Sequence, residues 1–103
     1  MEPSIYVATS GQLALQRRLD TIANNVANST TPGFRAENVT FQTVLSQTSR
    51  SSVAYSGTGE STFSRTIGPI VQTGNPLDVA IQGDAFLSIN SANGPVYTRD
   101  GRM

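Results

Sequence analysis

Residues 22–34 read IANNVANSTTPGF. A helix arrives through Ile22 and Val26, carries Asn24, Asn25 and Asn28, and meets a Thr-Thr-Pro-Gly turn that no helix continues through. Thr31 precedes Pro32 and is biased away from the helical region, while Gly33 is free to take positive φ. Phe34 is then expected to anchor the reversing chain on an apolar surface.

Upstream of this stop, Ile5, Ala8, Gln12, Leu15, Leu19, Ile22 and Val26 follow one another at alternating steps of three and four. That spacing is an a/d seam with one polar member, Gln12. Ala14, Ala23 and Ala27 keep the helix lean. Gln16, Arg17, Arg18, Asp20, Thr21, Asn24 and Asn25 form the opposing polar face, which meets either water or hydrogen-bonding neighbours. Pro3 suits a first helical turn, and Gly11 weakens the interior by up to about 1 kcal/mol relative to alanine. The helix is predicted from Pro3 or Ser4 to Asn28, a rod of about 35 Å at 1.5 Å per residue. So narrow a stripe on so long a rod asks for other helices as company.

Composition removes several functional classes. Seven basic residues, all arginine, balance seven acids, so no net field draws the chain to a phosphate backbone, and nucleic acid is not expected as a partner. With no cysteine and no histidine, thiolate and imidazole metal ligation, a cysteine nucleophile and the usual base for a serine nucleophile are all missing. No enzyme activity, metal or cofactor is expected. Glu2 stands where a secretory signal has basic residues, and residues 9–12 interrupt any apolar run, so neither a cleaved signal nor membrane insertion is expected.

Beyond the turn, residues 35–45 offer two readings: Val39 and Phe41 alternate as in a strand, whereas Phe41, Val44 and Leu45 suit one helical turn. Residues 46–61, SQTSRSSVAYSGTGES, read as an extended or flexible connector. Strand signals return at residues 66–73, then at residues 77–81, where Leu77, Val79 and Ile81 alternate with polar or small neighbours. Gly74-Asn75-Pro76 and Gln82-Gly83-Asp84 are turn signals, 86–89 a short strand, Asn93-Gly94 a tight turn, and 96–99 a returning strand. Asp100-Gly101 signals one more hairpin. The predicted fold is α+β, divided into a helix with its capping turn (residues 1–34), an extended or flexible connector (35–66) and the start of an antiparallel β-domain (67–103). A seam helix without a partner and a hairpin turn without its outgoing strand read as part of a longer, truncated protein.

IANNVANSTTPGFRAE resembles the N-terminal signature of bacterial flagellar rod and hook proteins: Ala-Asn-Asn-(Leu/Val)-Ala-Asn, a few small residues, then Gly-(Phe/Tyr)-(Lys/Arg). GPIVQTGNPLDVAIQGDAFLSI followed by GPVYTRDGRM is similar to the segment by which those proteins enter their first β-domain. The two motifs stand in the family's order and cover about two thirds of the chain; residues 47–63 add almost nothing. The opening IYVATSGQLALQRRLDTIANNVAN looks most similar to the proximal-rod members, with distal-rod and hook members as alternatives.

The resemblance implies a structural subunit of the basal-body rod that joins copies of itself and other rod proteins. It implies export by the flagellar type III apparatus without a cleaved signal peptide, and a place in the periplasmic drive shaft. Full members carry a C-terminal helix that pairs with the N-terminal one. The implied assembly surface comprises Ile5, Leu15, Leu19, Ile22, Asn24, Asn25, Val26, Asn28, Pro32, Gly33 and Phe34. In that light the three asparagines lean from solvated caps towards inter-subunit hydrogen bonds, since an amide both donates and accepts. A membrane-surface helix is the competing class, with few basic residues to support it. Asp78, Asp84 and Asp100 flank turns or alternate out of a strand and make no acid–base pair.

Overall fold

The computed structural model describes residues 2–48 and 51–103. Helix α1 spans Glu2–Ala27, within a residue or two of the bounds read from the sequence. Pro3 falls in its first turn, where a missing N–H costs nothing, and Glu2 complements the positive end of the helix dipole. At the other end Asn28 N donates to Asn24 O at 3.1 Å, and its side-chain Nδ2 donates to the same carbonyl at 2.9 Å. Thr31 N donates to Asn28 O at 3.0 Å and Phe34 N to Thr31 O at 3.3 Å, so successive turns occupy the carbonyls that a helix end leaves open. Gly33 then adopts φ 72° and turns the chain away.

The chain next forms a long antiparallel hairpin, β1 (Glu37–Thr48) with β2 (Ser51–Phe63). Between the two readings of residues 35–45, the strand is the one the chain adopts. The Ser/Thr/Gly-rich residues 51–63 are paired in this hairpin. Ser49 and Arg50 of the predicted connector lie outside the described residues. The register shifts between Val39 and Phe41, where two residues of β2 face Thr40 alone. Gly59 lies at this bulge, where a Cβ would come within 2.7 Å of Thr40 Oγ1, so the absence of a side chain there is a packing requirement.

The hairpin lies against α1, mainly through β2. Residues 64–86 follow without regular secondary structure. A second, shorter hairpin pairs β3 (Leu87–Ser91) with β4 (Gly94–Thr98) through the Asn93-Gly94 turn, with Gly94 at φ 115°. The strands expected over 66–73 and 77–81 are not formed. Pro69, Gly68 and Pro76 interrupt them, and among the described residues no neighbouring strand offers a ladder; alternation reports half-burial, not pairing. At Asp100-Gly101 the chain runs back beside Val79, whose N–H donates to Gly101 O at 2.9 Å.

The radius of gyration is 20.3 Å, and the extents are 68 × 28 × 24 Å. A compact domain of this length would have a radius near 13 Å. Among the described residues only Ala14 and Gly101 are buried. A helix with one buried side chain gains little from tertiary packing, and helices of this kind are marginal alone. In the isolated chain, amides of residues 5–26 are therefore expected to exchange with deuterium rapidly and to become protected on assembly. Strong protection in the monomer by hydrogen-exchange mass spectrometry would contradict this.

Candidate assembly surface

Helix α1 presents two stripes that differ in chemistry and in what covers them. Ser10, Gly11, Ala14, Thr21, Asn25 and Asn28 are the helical residues and cap that lose solvent. Ser10 Oγ accepts from Ser56 N at 3.3 Å, and Arg17 Nη1 donates to Thr58 Oγ1 at 2.7 Å. Asn25 makes the most ordered contact. Its Nδ2 donates to Glu37 O at 2.9 Å while its Oδ1 accepts from Glu37 N at 3.0 Å. Glu37 is the first residue of β1, so this pair joins the last turn of the helix to the root of the hairpin.

One residue further along at each turn lies the apolar seam, about 100° around the helix. Its members remain open: Ile5 is 65% exposed, Leu15 67%, Leu19 65%, Ile22 48% and Val26 67%. The chain's own strands thus cover the small, polar stripe and leave the apolar one. This inverts the usual arrangement for a surface helix, in which the apolar face meets the core. An exposed apolar row of this length on a folded chain is a candidate contact surface.

The asparagines expected to reach other subunits are engaged at home. Asn25 serves Glu37, and Asn28 Nδ2 bonds Asn24 O and Asn24 Oδ1 while Asn28 Oδ1 accepts from Thr31 Oγ1 at 3.2 Å. Periodicity placed these residues on the polar face, but it carries no information on how the hairpin folds back. Pro32 and Gly33 stay exposed, and Phe34 is half-buried beside them. Gly33 meets the far end of the chain: a Cβ there would lie 2.5 Å from Asp100 N.

That approach belongs to a joint missed in the sequence. Two guanidinium groups stand over the Phe86 ring, Arg35 at 5.4 Å and Arg99 at 5.9 Å from its centre. Arg35 Nη1 also donates to Ser64 O at 3.1 Å. Arg99 Nη1 donates to Gly83 O at 2.6 Å and Ala85 O at 3.2 Å, and its Nη2 to Ile81 O at 2.9 Å. The planar fork of arginine suits three converging carbonyls, which the irregular loop leaves without strand partners. A loop rich in unpaired carbonyls next to an arginine was the only available signal.

An open groove of about 980 Å³ runs between residues 29–35, 66–81 and 99–102. Its carboxylates are already engaged. Asp78 accepts from Thr73 Oγ1 at 2.7 Å and Asn75 Nδ2 at 2.9 Å. Asp100 pairs with Arg102 at 3.3 Å; the Arg102 side-chain hydrogen bond, then its backbone N–H, hold this carboxyl below its usual range. The pair is solvent-exposed and contributes little to stability.

Residues 5–35 match the profile of the family described as "Flagella basal body rod protein". The whole chain aligns at 52% identity with flagellar basal-body rod protein FlgF of Mesorhizobium japonicum and at 49% with FlgF of Rhizobium meliloti, covering 43% of each. Flagellar basal-body rod protein FlgG of Bacillus subtilis is 36% identical over 97% of the chain and 44% of its own length. The chain spans less than half the length of these curated relatives. Over the segment it spans, it belongs to the flagellar basal-body rod proteins. The family match covers the helix, the asparagines and the Thr-Pro-Gly-Phe turn, the elements that form the two stripes and the start of the joint.

Gly33→Ala is expected to loosen the joint. An alanine pays about 1–2 kcal/mol for the left-handed conformation and also meets the backbone of Asp100. The expected result is a lower melting temperature and faster amide exchange at Asp100; an unchanged melting curve would show that the turn does not bear on the far segment.

Proposed function

We propose that this chain forms part of a structural subunit of the flagellar basal-body rod, most similar to the proximal-rod members. It polymerises with copies of itself and other rod proteins into the periplasmic drive shaft after export without a cleaved signal. The observation that carries the reading is the uncovered seam of α1 in a chain that uses its polar stripe for its own hairpin. The names of the relatives support the same assembly, and the chemistry on the page adds no competing one.

Magnitudes explain why such a seam suits a polymer. Burying a whole Leu, Ile or Val side chain contributes about 1.5–3 kcal/mol. Five seam residues that already have a third to a half of their surface covered contribute roughly 5–9 kcal/mol in all. Association alone costs about 4–15 kcal/mol in lost freedom. One such contact is weak, and a lattice in which each subunit touches several neighbours is stable. Contacts between different faces that do not close build a filament, which is the form a shaft requires.

Replacing Leu15 and Leu19 together with glutamine in the full-length protein is expected to leave export intact and to abolish swimming, with basal bodies that lack a complete rod. Normal swimming by the double variant would remove the basis for this reading. The competing class, a helix lying on a membrane surface, predicts co-sedimentation with anionic phospholipid vesicles that is lost in the same variant. No such binding is expected, because only Arg17 and Arg18 accompany the seam along the helix.

A further inference from the structure

We propose that Phe86 is a latch that couples the second hairpin to the base of the first: Arg99 holds the ring in place, and Arg35 carries its position to Ser64. Every group involved lies within the chain, so the inference goes beyond the rod reading and is indifferent to what covers α1.

A coupler is needed because of what the two hairpins do not share. Among the described residues β3 and β4 pack against none of α1, β1 and β2. Whatever makes the two parts order together therefore passes through the segments between them. Gly33 approaches the backbone of Asp100 there, which limits how closely the parts can come. Arg35 over the Phe86 ring is an attraction, and it holds them together.

The ring is placed by side chains that take over where a ladder stops. The second hairpin's register ends at Leu87 opposite Thr98, so Phe86 and Arg99 occupy the next pair of positions. Arg99 donates to the carbonyls of Ile81, Gly83 and Ala85, and Ala85 adjoins Phe86 in the chain. A planar fork with donors in fixed directions meets three carbonyls in one arrangement, which fixes the backbone that carries the ring. No core does so instead, since Phe86 is 51% exposed.

The other end of the latch is the base of the first hairpin. Arg35 stands over the ring while its Nη1 donates to Ser64 O. Ser64 N donates in turn to Ala36 O at 2.7 Å, one step beyond the last pair of β1 and β2, Glu37 with Phe63. Loop carbonyls, Arg99, Phe86, Arg35 and Ser64 thus form one continuous series of contacts, with the aromatic ring as its middle member.

The test uses the full-length protein and residue-resolved amide exchange at Ser64, which lies outside the helical residues expected to exchange freely. Arg99→Lys keeps the charge and removes the fork. It is expected to speed Ser64 exchange by roughly fivefold or more, and so is Phe86→Leu. Neither position adjoins Ser64 in the sequence, so its intrinsic rate is unaltered. In the Phe86→Leu background Arg99→Lys is expected to add nothing at Ser64, because the connection is already cut. If Arg99 merely braces its own loop, Ser64 exchange stays unchanged in Arg99→Lys, and the proposal is overturned. It is also overturned if the two effects multiply in the double variant, since the coupling then runs by another route, such as Gly33 and Asp100. Should Arg99→Lys unfold the second hairpin, the cycle pairs Phe86→Leu with Arg35→Ala. The double variant is then expected to exchange Ser64 no faster than Arg35→Ala alone, and multiplied effects overturn the proposal in the same way.

Discussion

The structure depends on which side of one helix its own chain occupies. α1 offers a small, polar stripe and an apolar seam a quarter of a turn apart, and the hairpin takes the polar one. Hydrophobic burial would choose the other side, because each covered Leu or Ile contributes more than an exposed side-chain hydrogen bond. Directed bonds decide the outcome: the Asn25 amide on Glu37, Arg17 on Thr58, and Ser10 beside Ser56. Ala14, the one buried side chain of α1, lies on the stripe that the hairpin covers.

The rest follows from that placement through two contacts at the turn. Gly33 turns the chain and approaches the backbone of Asp100, and two residues later Arg35 reaches Phe86. Arg99 approaches the same ring while its fork collects the carbonyls of Ile81, Gly83 and Ala85. The second hairpin is therefore joined to the helix end by a glycine-width approach and an aromatic ring that two cations share. These contacts fix direction at modest energy, and little apolar area is buried in forming them.

How far this was legible in the sequence varied with the physics of each element. The helix and its end were readable because a 3.6-residue period and a Thr-Pro-Gly stop are local properties. The Asn93-Gly94 turn was readable for the same reason. The first hairpin was only half readable. Val39 and Phe41 in β1 carry a strand signal, but β2 is Ser, Thr and Gly with few apolar residues, and such a strand is held by its partner more than by its own preference. Residues 66–73 and 77–81 carried the opposite error, since their alternation is real while the prolines leave them outside any ladder. The apolar row along α1 was legible residue by residue from its spacing. The use of Asn25 was not, because its partner is a backbone group twelve residues away.

The small core is the consequence that joins stability to function. With Ala14 the single buried apolar side chain among the described residues, the chain cannot derive much stability from itself, and the large apolar side chains it might have buried stand along the seam and the irregular segment. A chain held by directed polar contacts stays close to the threshold for folding. The missing stabilisation must then come from whatever covers the seam, so order in the helix and burial of the seam become one event. On this argument a substitution that strengthens the isolated fold by turning seam residues inward leaves less apolar surface on α1 for any other segment to cover, while the polar ties leave that surface free.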